Sequence, residues 1–255
     1  MIEKAKPSGK GLRQMFLVVG LATFVLTGVL QAEDYFTWRA LAAEQPDSIP
    51  AMPRLVTFAE KRGRDAFLAN CASCHGANLR GNQEKGAPDL IDGDWLYVSS
   101  RVSEIERTIL YGIRSGNGKA HNVTDMPPIG RQHTLSRDEV ADVVAYTLTL
   151  SGRDADASAA ERGNKLFQDK GVCYDCHGRD GEGIPDYGAP NLTDDKWLYG
   201  GDVQAITASV YDGRHGICPA WIGKLSFATI RAIAVYIHSA SRPAALAQSA
   251  QVNPP

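Results

Sequence analysis

The sequence predicts an all-α chain with two small helical domains in tandem behind an N-terminal transmembrane helix. Three observations support this prediction. An uncharged apolar run fills residues 14–32, one set of motifs occurs twice along the 255 residues, and both copies end in a stretch with helical periodicity. Gly and Pro residues punctuate the rest of each copy, and no stretch shows the sustained alternation typical of a strand.

The apolar run from Gln14 to Ala32 has 19 residues, which at helical rise nearly match the thickness of a bilayer core. Basic residues precede it, and they favour an orientation in which everything after Glu33 lies outside the cytoplasm. A cleaved signal peptide is the alternative. Cleavage after Ala32 would place the bulky Leu30 where a small residue is preferred, so an uncleaved anchor is favoured. The Pro-containing residues 33–56 are expected to form a linker.

The repeat becomes visible when the second Cys-x-x-Cys-His motif, at residues 173–177, is laid over the first, at residues 71–75. Gly-Ala-Pro follows each His after 11 residues, and Trp-Leu-Tyr follows that Gly after 9 residues. Helix starts are predicted from capping-box patterns at Ser103/Glu106 and Ser136/Glu139. The predicted boundaries are a first domain at 57–152, a hinge at 153–159, a second domain at 160–242 and a tail at 243–255.

The Cys-x-x-Cys-His motif is the attachment signature of c-type haem. Two thiols on one helical turn face the same way, so each can form a thioether with one vinyl group, and the next residue can reach the iron. A bare Cys-x-x-Cys also occurs in zinc sites and redox dithiols, but two copies with His in the fifth place favour haem. We therefore expect two class I cytochrome c domains with two covalently bound haem c groups. The predicted haem-attachment residues are Cys71, Cys74, Cys173 and Cys176, and the predicted proximal iron ligands are His75 and His177.

The first copy offers Met126 as the sixth iron ligand. Pro127 and Pro128 follow it and would stiffen the backbone that presents the thioether. His121 and His133 are rival ligands, and a methionine that merely fills a core gap is the other alternative.

The second copy has no methionine at the matching place, where Cys218 stands instead. Cys218 is also the fifth cysteine, without a partner for an intramolecular disulfide. An anionic sulfur ligand would stabilise ferric iron and lower the potential of the second haem. The alternative is that Cys218 is a small buried residue and that the haem has no sixth ligand or uses His215, His238 or Lys224.

Charge and aromatic residues add weaker indications. The net charge is −2 with acids and bases interspersed, so no basic face predicts nucleic-acid binding. The residues Trp95, Trp197, Arg114 and Arg214 are candidates for contacts with haem edges or propionates, although ordinary core and surface roles explain such residues equally well.

From about Arg62 to Ser241 the chain resembles the dihaem subunit III (CcoP/FixP) of cbb3-type cytochrome c oxidases. The resemblance rests on both haem motifs, Gly-Ala-Pro with Trp-Leu-Tyr, Met126-Pro127, and residues 213–221. It implies a single-pass subunit of the bacterial inner membrane with its haem domains in the periplasm. Such a subunit accepts electrons from a soluble or membrane-bound cytochrome c donor and relays them to the monohaem and catalytic subunits. It is not itself the catalyst.

Two departures from that family stand out: Cys218 in place of Met, and the lack of a Pro- and Trp-rich motif before the membrane span. Cys218 also keeps open a dihaem redox enzyme of the thiosulfate-oxidising type, or a sensor, with a low-potential His/Cys-ligated haem. A potentiometric titration, a thiosulfate turnover assay and carbon monoxide binding distinguish these alternatives.

Overall fold

The computed structural model describes residues 9–96, 99–121 and 124–252, with side chains described for 16–96, 99–121 and 124–241. Within these ranges the backbone forms α-helices, three short 3₁₀ turns and isolated backbone bridges, but no strand. The all-α prediction is confirmed. The helices are α1 (Gly9–Ala43), α2 (Pro53–Asn70), α3 (Ala72–His75), α4 (Val102–Tyr111), α5 (Arg137–Leu150), α6 (Ala157–Gln168), α7 (Tyr174–His177), α8 (Val203–Asp212) and α9 (Phe227–Val252).

Helix α1 contains the predicted apolar run and extends beyond it at both ends. Its Phe16–Ala43 portion is long and apolar enough to cross a membrane, and side chains such as Leu17 and Phe24 are exposed by 73% and 77%. An apolar surface this open is typical of a helix whose solvent is lipid. Of the basic residues before the run, Lys4 and Lys6 lie outside the described residues.

The stretch expected to be a linker is packed against the core instead. Helix α1 continues to Ala43, and Leu41 and Ile49 have no exposed surface. Arg231 donates a hydrogen bond of 3.1 Å to the carbonyl oxygen of Leu41, and it also bonds the carbonyl oxygen of Glu44. This side chain satisfies carbonyl groups that a helix leaves free at its C-terminal end, so the end of α1 is fixed to the globular part.

Of the two predicted capping boxes, only the second forms. Ser136 and Glu139 cap α5 reciprocally. Helix α4 begins one residue earlier than Ser103, at Val102, so the Ser103/Glu106 prediction is wrong. Glu106 instead makes a buried ion pair with Arg231, with Oε2 and Nε 2.6 Å apart.

The main helix pairs join the two sequence copies to each other. Helix α2 of the first copy packs against α9 of the second, and α6 of the second packs against α5 of the first. Glycine permits both contacts: a Cβ added to Gly63 would lie 2.1 Å from the carbonyl oxygen of Ala232, and one added to Gly163 would lie 1.9 Å from that of Asp142. Edge-to-face ring pairs accompany them, Phe67 with Tyr236 and Tyr146 with Phe167.

Two cores result, which we call unit 1 and unit 2. Unit 1 contains α2, α3, α4 and α9, together with the end of α1. Unit 2 contains α5, α6, α7 and α8. The predicted boundaries 57–152 and 160–242 describe the copies along the sequence, but each unit takes its last helix from the other copy.

Two crossing segments carry the chain from one unit to the other: residues 112–126 after α4 and residues 213–218 after α8. The structure describes both segments except for residues 122 and 123. They pair by two antiparallel bridges that are equivalent under the repeat. Cys218 N donates to Ile113 O at 3.1 Å, and Ile113 N donates to Cys218 O at 2.9 Å. Met126 N donates to Arg214 O at 3.1 Å, and Arg214 N donates to Met126 O at 3.0 Å. Each candidate sulfur ligand is thus held by the other copy.

Candidate haem sites

Helices α3 and α7, of four residues each, carry the two attachment motifs. The amide of His75 donates to Cys71 O at 3.0 Å, and that of His177 donates to Cys173 O at 2.9 Å. These bonds close one helical turn over each motif, so the cysteines and the histidine project from the same turn. The local backbone is therefore the one that attachment of two vinyl groups and one iron requires.

A backbone carbonyl orients each histidine. His75 Nδ1 lies 3.2 Å from Pro88 O, and His177 Nδ1 lies 3.1 Å from Pro190 O. A carbonyl oxygen only accepts, so Nδ1 carries the proton and Nε2 keeps its lone pair for a metal. Burial lowers the pKa of both imidazoles, so both are neutral at pH 7, the form that ligates iron. The proline of each Gly-Ala-Pro motif supplies the carbonyl group that contacts the histidine. The motif is visible in the sequence as a repeat, but its spacing alone did not predict this contact.

Cys218 lies in unit 1, beside the first attachment motif. Burial raises the pKa of Cys218 to about 11, and the nearby Cys74 contributes to that shift. The pKa of Cys71 is raised to about 12, chiefly by burial and then by the proximity of Cys218 and Cys74. The three cysteines therefore lie close enough together for a negative charge on one sulfur atom to raise the pKa of another.

Met126 lies in unit 2, where it packs against the core that includes Val140 and Val210. The sequence predicts Met126 for the first haem and Cys218 for the second. The crossing segments place Cys218 in the unit that carries His75 and Met126 in the unit that carries His177.

The rival ligands have other surroundings. His215 Nδ1 lies 2.6 Å from Asp125 Oδ1, and His238 Nδ1 lies 2.6 Å from Ser100 O. His121 lies near Thr108. His133 is exposed and has a left-handed backbone conformation. Lys224 lies over the ring of Trp221.

Buried donors test whether the two units suit a haem. In the described part of the chain, the buried side-chain donors without a hydrogen-bond partner are Trp95 Nε1, Arg153 Nη2 and Arg114 Nε, of which Arg114 Nε makes an ion-pair contact of 2.8 Å with Asp125. Trp95 packs against the core of unit 1, and Arg153 lies 4.8 Å above the ring of Trp197 in unit 2. Unpaired buried donors are costly, so a group with acceptors is expected beside them, as haem propionates would supply. Arg153 was not among the sequence candidates. Arg214 already donates to Ser209 Oγ at 2.9 Å.

An attachment turn with an oriented histidine, present once in each unit, defines a tandem c-type cytochrome. Comparison with known families agrees: residues 60–151 match the family model described as cytochrome c. Residues 158–237 match the model described as cytochrome c oxidase, cbb3-type, subunit III.

Individual relatives point the same way. The chain is 40% identical over 191 residues to the cbb3-type cytochrome c oxidase subunit CcoP of Cereibacter sphaeroides, covering 75% of this chain and 64% of that protein. It is 41% identical over 204 residues to subunit FixP of a Bradyrhizobium species, covering 78% and 67%. Subunit CcoP of Azospirillum brasilense is 38% identical over 221 residues, covering 84% and 72%. The matched part thus spans about two thirds of these relatives' length.

The chain belongs to the family of cbb3-type cytochrome c oxidase subunit III. As a member with two cytochrome c domains it carries two covalently bound haem c groups.

Proposed function

We propose that the chain is the electron-relay subunit of a cbb3-type oxidase. It is anchored in the bacterial inner membrane by α1, with both units in the periplasm. It accepts electrons from a cytochrome c donor and passes them to the monohaem and catalytic subunits. The family supports the relay, and the exposed apolar surface of α1 supports the anchor.

A haem in unit 1 would be held by Cys71 and Cys74, with His75 and Cys218 as its iron ligands. A haem in unit 2 would be held by Cys173 and Cys176, with His177 and Met126 as its iron ligands. Each haem would supply one-electron exchange between ferric and ferrous iron. The chain's own part is to fix the imidazole through a proline carbonyl, to present a sulfur atom from the crossing segments, and to exclude water with the two apolar cores.

The observation that carries the ligand proposal is the placement of Cys218 beside Cys71 and Cys74. The same observation favours, as a second candidate function, a redox enzyme or sensor that uses a His/Cys-ligated haem. Thiosulfate turnover or carbon monoxide binding by the isolated protein would support that second function over a plain relay.

The relay is tested by purifying the full chain from its own membranes through a C-terminal affinity tag. We expect two haems per chain, co-purification of a haem–copper subunit, and oxygen consumption with reduced cytochrome c that is lost when the subunit is removed. A dihaem protein that purifies alone, with oxygen consumption unchanged by its deletion, would contradict the relay.

The ligand pairing is tested by exchanging each proximal histidine. His75→Met should change the electron paramagnetic resonance signal of the thiolate-ligated ferric haem, whereas His177→Met should leave that signal and change the Met–iron charge-transfer band. The reverse result would restore the pairing that the sequence order suggests.

A further inference from the structure

Arg114 contacts both crossing segments close to the residues that carry the sulfur atoms. Its Nη1 donates a hydrogen bond of 2.7 Å to the carbonyl oxygen of Gly216, two residues before Cys218. Its Nε lies 2.8 Å from Oδ1 of Asp125, the residue directly before Met126. One guanidinium group therefore bridges the two ligand-bearing segments.

The surroundings of Arg114 indicate a built contact. Its side chain is only 15% exposed, so the ion pair with Asp125 is partly shielded from water. Its backbone has φ of +50°, a left-handed conformation that is unfavourable for a residue with a side chain. Such a conformation persists only where the neighbouring contacts hold it, and the amide of Arg114 is held by a 3.1 Å bond to His121 O.

The repeat shows that this bridge is one-sided. The position equivalent to Arg114 in the second copy is His215, and its ring also lies against the Asp125 carboxylate, at 2.6 Å. The second copy has Ile217 where the first has Asp125. The two crossing segments thus share one carboxylate, that of Asp125, rather than forming two separate pairs.

We propose that Arg114 is a positioning residue for both sixth ligands, so that the two iron sites are mechanically coupled. The proposal rests on the ligand pairing proposed above. The guanidinium fixes the spacing between the backbone before Cys218 and the backbone before Met126. Replacing this side chain should therefore alter the sulfur–iron ligation at both haems, because it shifts the backbone that carries each sulfur residue.

The test is Arg114→Gln in the full membrane-anchored chain, with Arg114→Lys as the conservative variant. Arg131→Gln is the matched control, because Arg131 also pairs with an aspartate, Asp212 at 2.6 Å, but this pair lies on the exposed surface. We expect Arg114→Gln to weaken the thiolate resonance signal and the Met–iron band together and to shift both haem potentials. Arg114→Lys should restore part of each signal, and Arg131→Gln should change neither.

A second variant keeps the proposal testable if Arg114→Gln does not fold. Asp125→Asn removes the carboxylate contact but leaves the bond to Gly216, so it should disturb the Met–iron band more than the thiolate signal. The proposal is overturned if Arg114→Gln or Asp125→Asn matches the wild type at both haems, or if Arg114→Gln alters only one. A wild-type protein without any thiolate signal would instead refute the ligand pairing itself.

Discussion

Units 1 and 2 have the same backbone plan but different chemistry at equivalent positions. The hydrogen bond accepted by Cys218 O is 2.9 Å long and the one accepted by Met126 O is 3.0 Å long, so the two backbone bridges agree to within 0.1 Å. The side chain at the first bridge is a thiol and the side chain at the second is a thioether. Unit 1 buries the Arg231–Glu106 pair, whereas the equivalent positions of unit 2 hold Ala141 and Thr207. The two units thus share their backbone plan, while single side chains differ in the sulfur residue presented and in the contact with the end of α1.

The largest expected effect concerns the two sulfur residues proposed as iron ligands. Cys218→Met should make the two sites alike and raise the potential of the unit 1 haem by on the order of 0.2 V, because loss of the anionic ligand removes its preference for ferric iron. The potential of the unit 2 haem should stay where it is. A spectroelectrochemical titration measures both, and two unchanged potentials would show that Cys218 does not bind iron.

The buried ion pair is the next difference. Arg231→Met should lower the free energy of unfolding by about 3–5 kcal/mol, because Glu106 would stay buried without its partner. It should also loosen the end of α1, since Arg231 bonds its carbonyl groups. Denaturant unfolding of the holoprotein measures the change.

Two further variants control the Arg231→Met experiment. The double variant with Glu106→Leu should recover most of the loss, since an apolar pair replaces the ions. Lys165→Gln, which breaks an exposed pair with Glu161 in unit 2, should leave stability close to the wild-type value. Equal losses of unfolding free energy in Arg231→Met and Lys165→Gln would contradict this expectation.

The two glycine contacts should be about equally costly to disturb, but each disturbance should affect a different unit. Gly63→Ala should cost about 1–3 kcal/mol by overpacking against α9 and should disturb the haem of unit 1. Gly163→Ala should cost a similar amount but act on unit 2. Gly118→Ala, with open space around its Cα, is the control. Thermal unfolding followed at the haem bands measures both effects, and Gly63→Ala acting on the Met-ligated haem would contradict the exchanged packing.

The smallest expected difference concerns the starts of α5 and α9. Lys170 hydrogen-bonds Glu139 and holds the pKa of that carboxyl below its usual 4.5, and the amide of Ser136 adds to this effect. Because the folded-state pKa is lowered, the stabilisation is present above pH 4.5 and is lost as the pH falls through the lowered value. Helix α9 begins with Ser226 accepting from the Thr229 amide and has no carboxylate there. Glu139→Gln should therefore lower unit 2 stability slightly at pH 7 and make no difference in acid.

The helical class, both attachment motifs and the sulfur candidates could be predicted from spacing, because helical periodicity and thioether chemistry are local. The exchange between copies could not. Helix α2 would meet Tyr146 on α5 or Tyr236 on α9 through similar surfaces, so a duplicated sequence does not say which one it packs against. Glu106 was read as part of a cap because its partner, Arg231, is 125 residues away.

The exchanged last helices also fix an order of assembly. If the chain is exported from its N-terminal end, the first attachment motif emerges long before the helix that packs over it, since α9 follows all the other described helices. Unit 2 has all its helices once α8 has emerged. Unit 2, which is made second, can therefore close first, and unit 1 stays open to the attachment machinery until α9 has emerged.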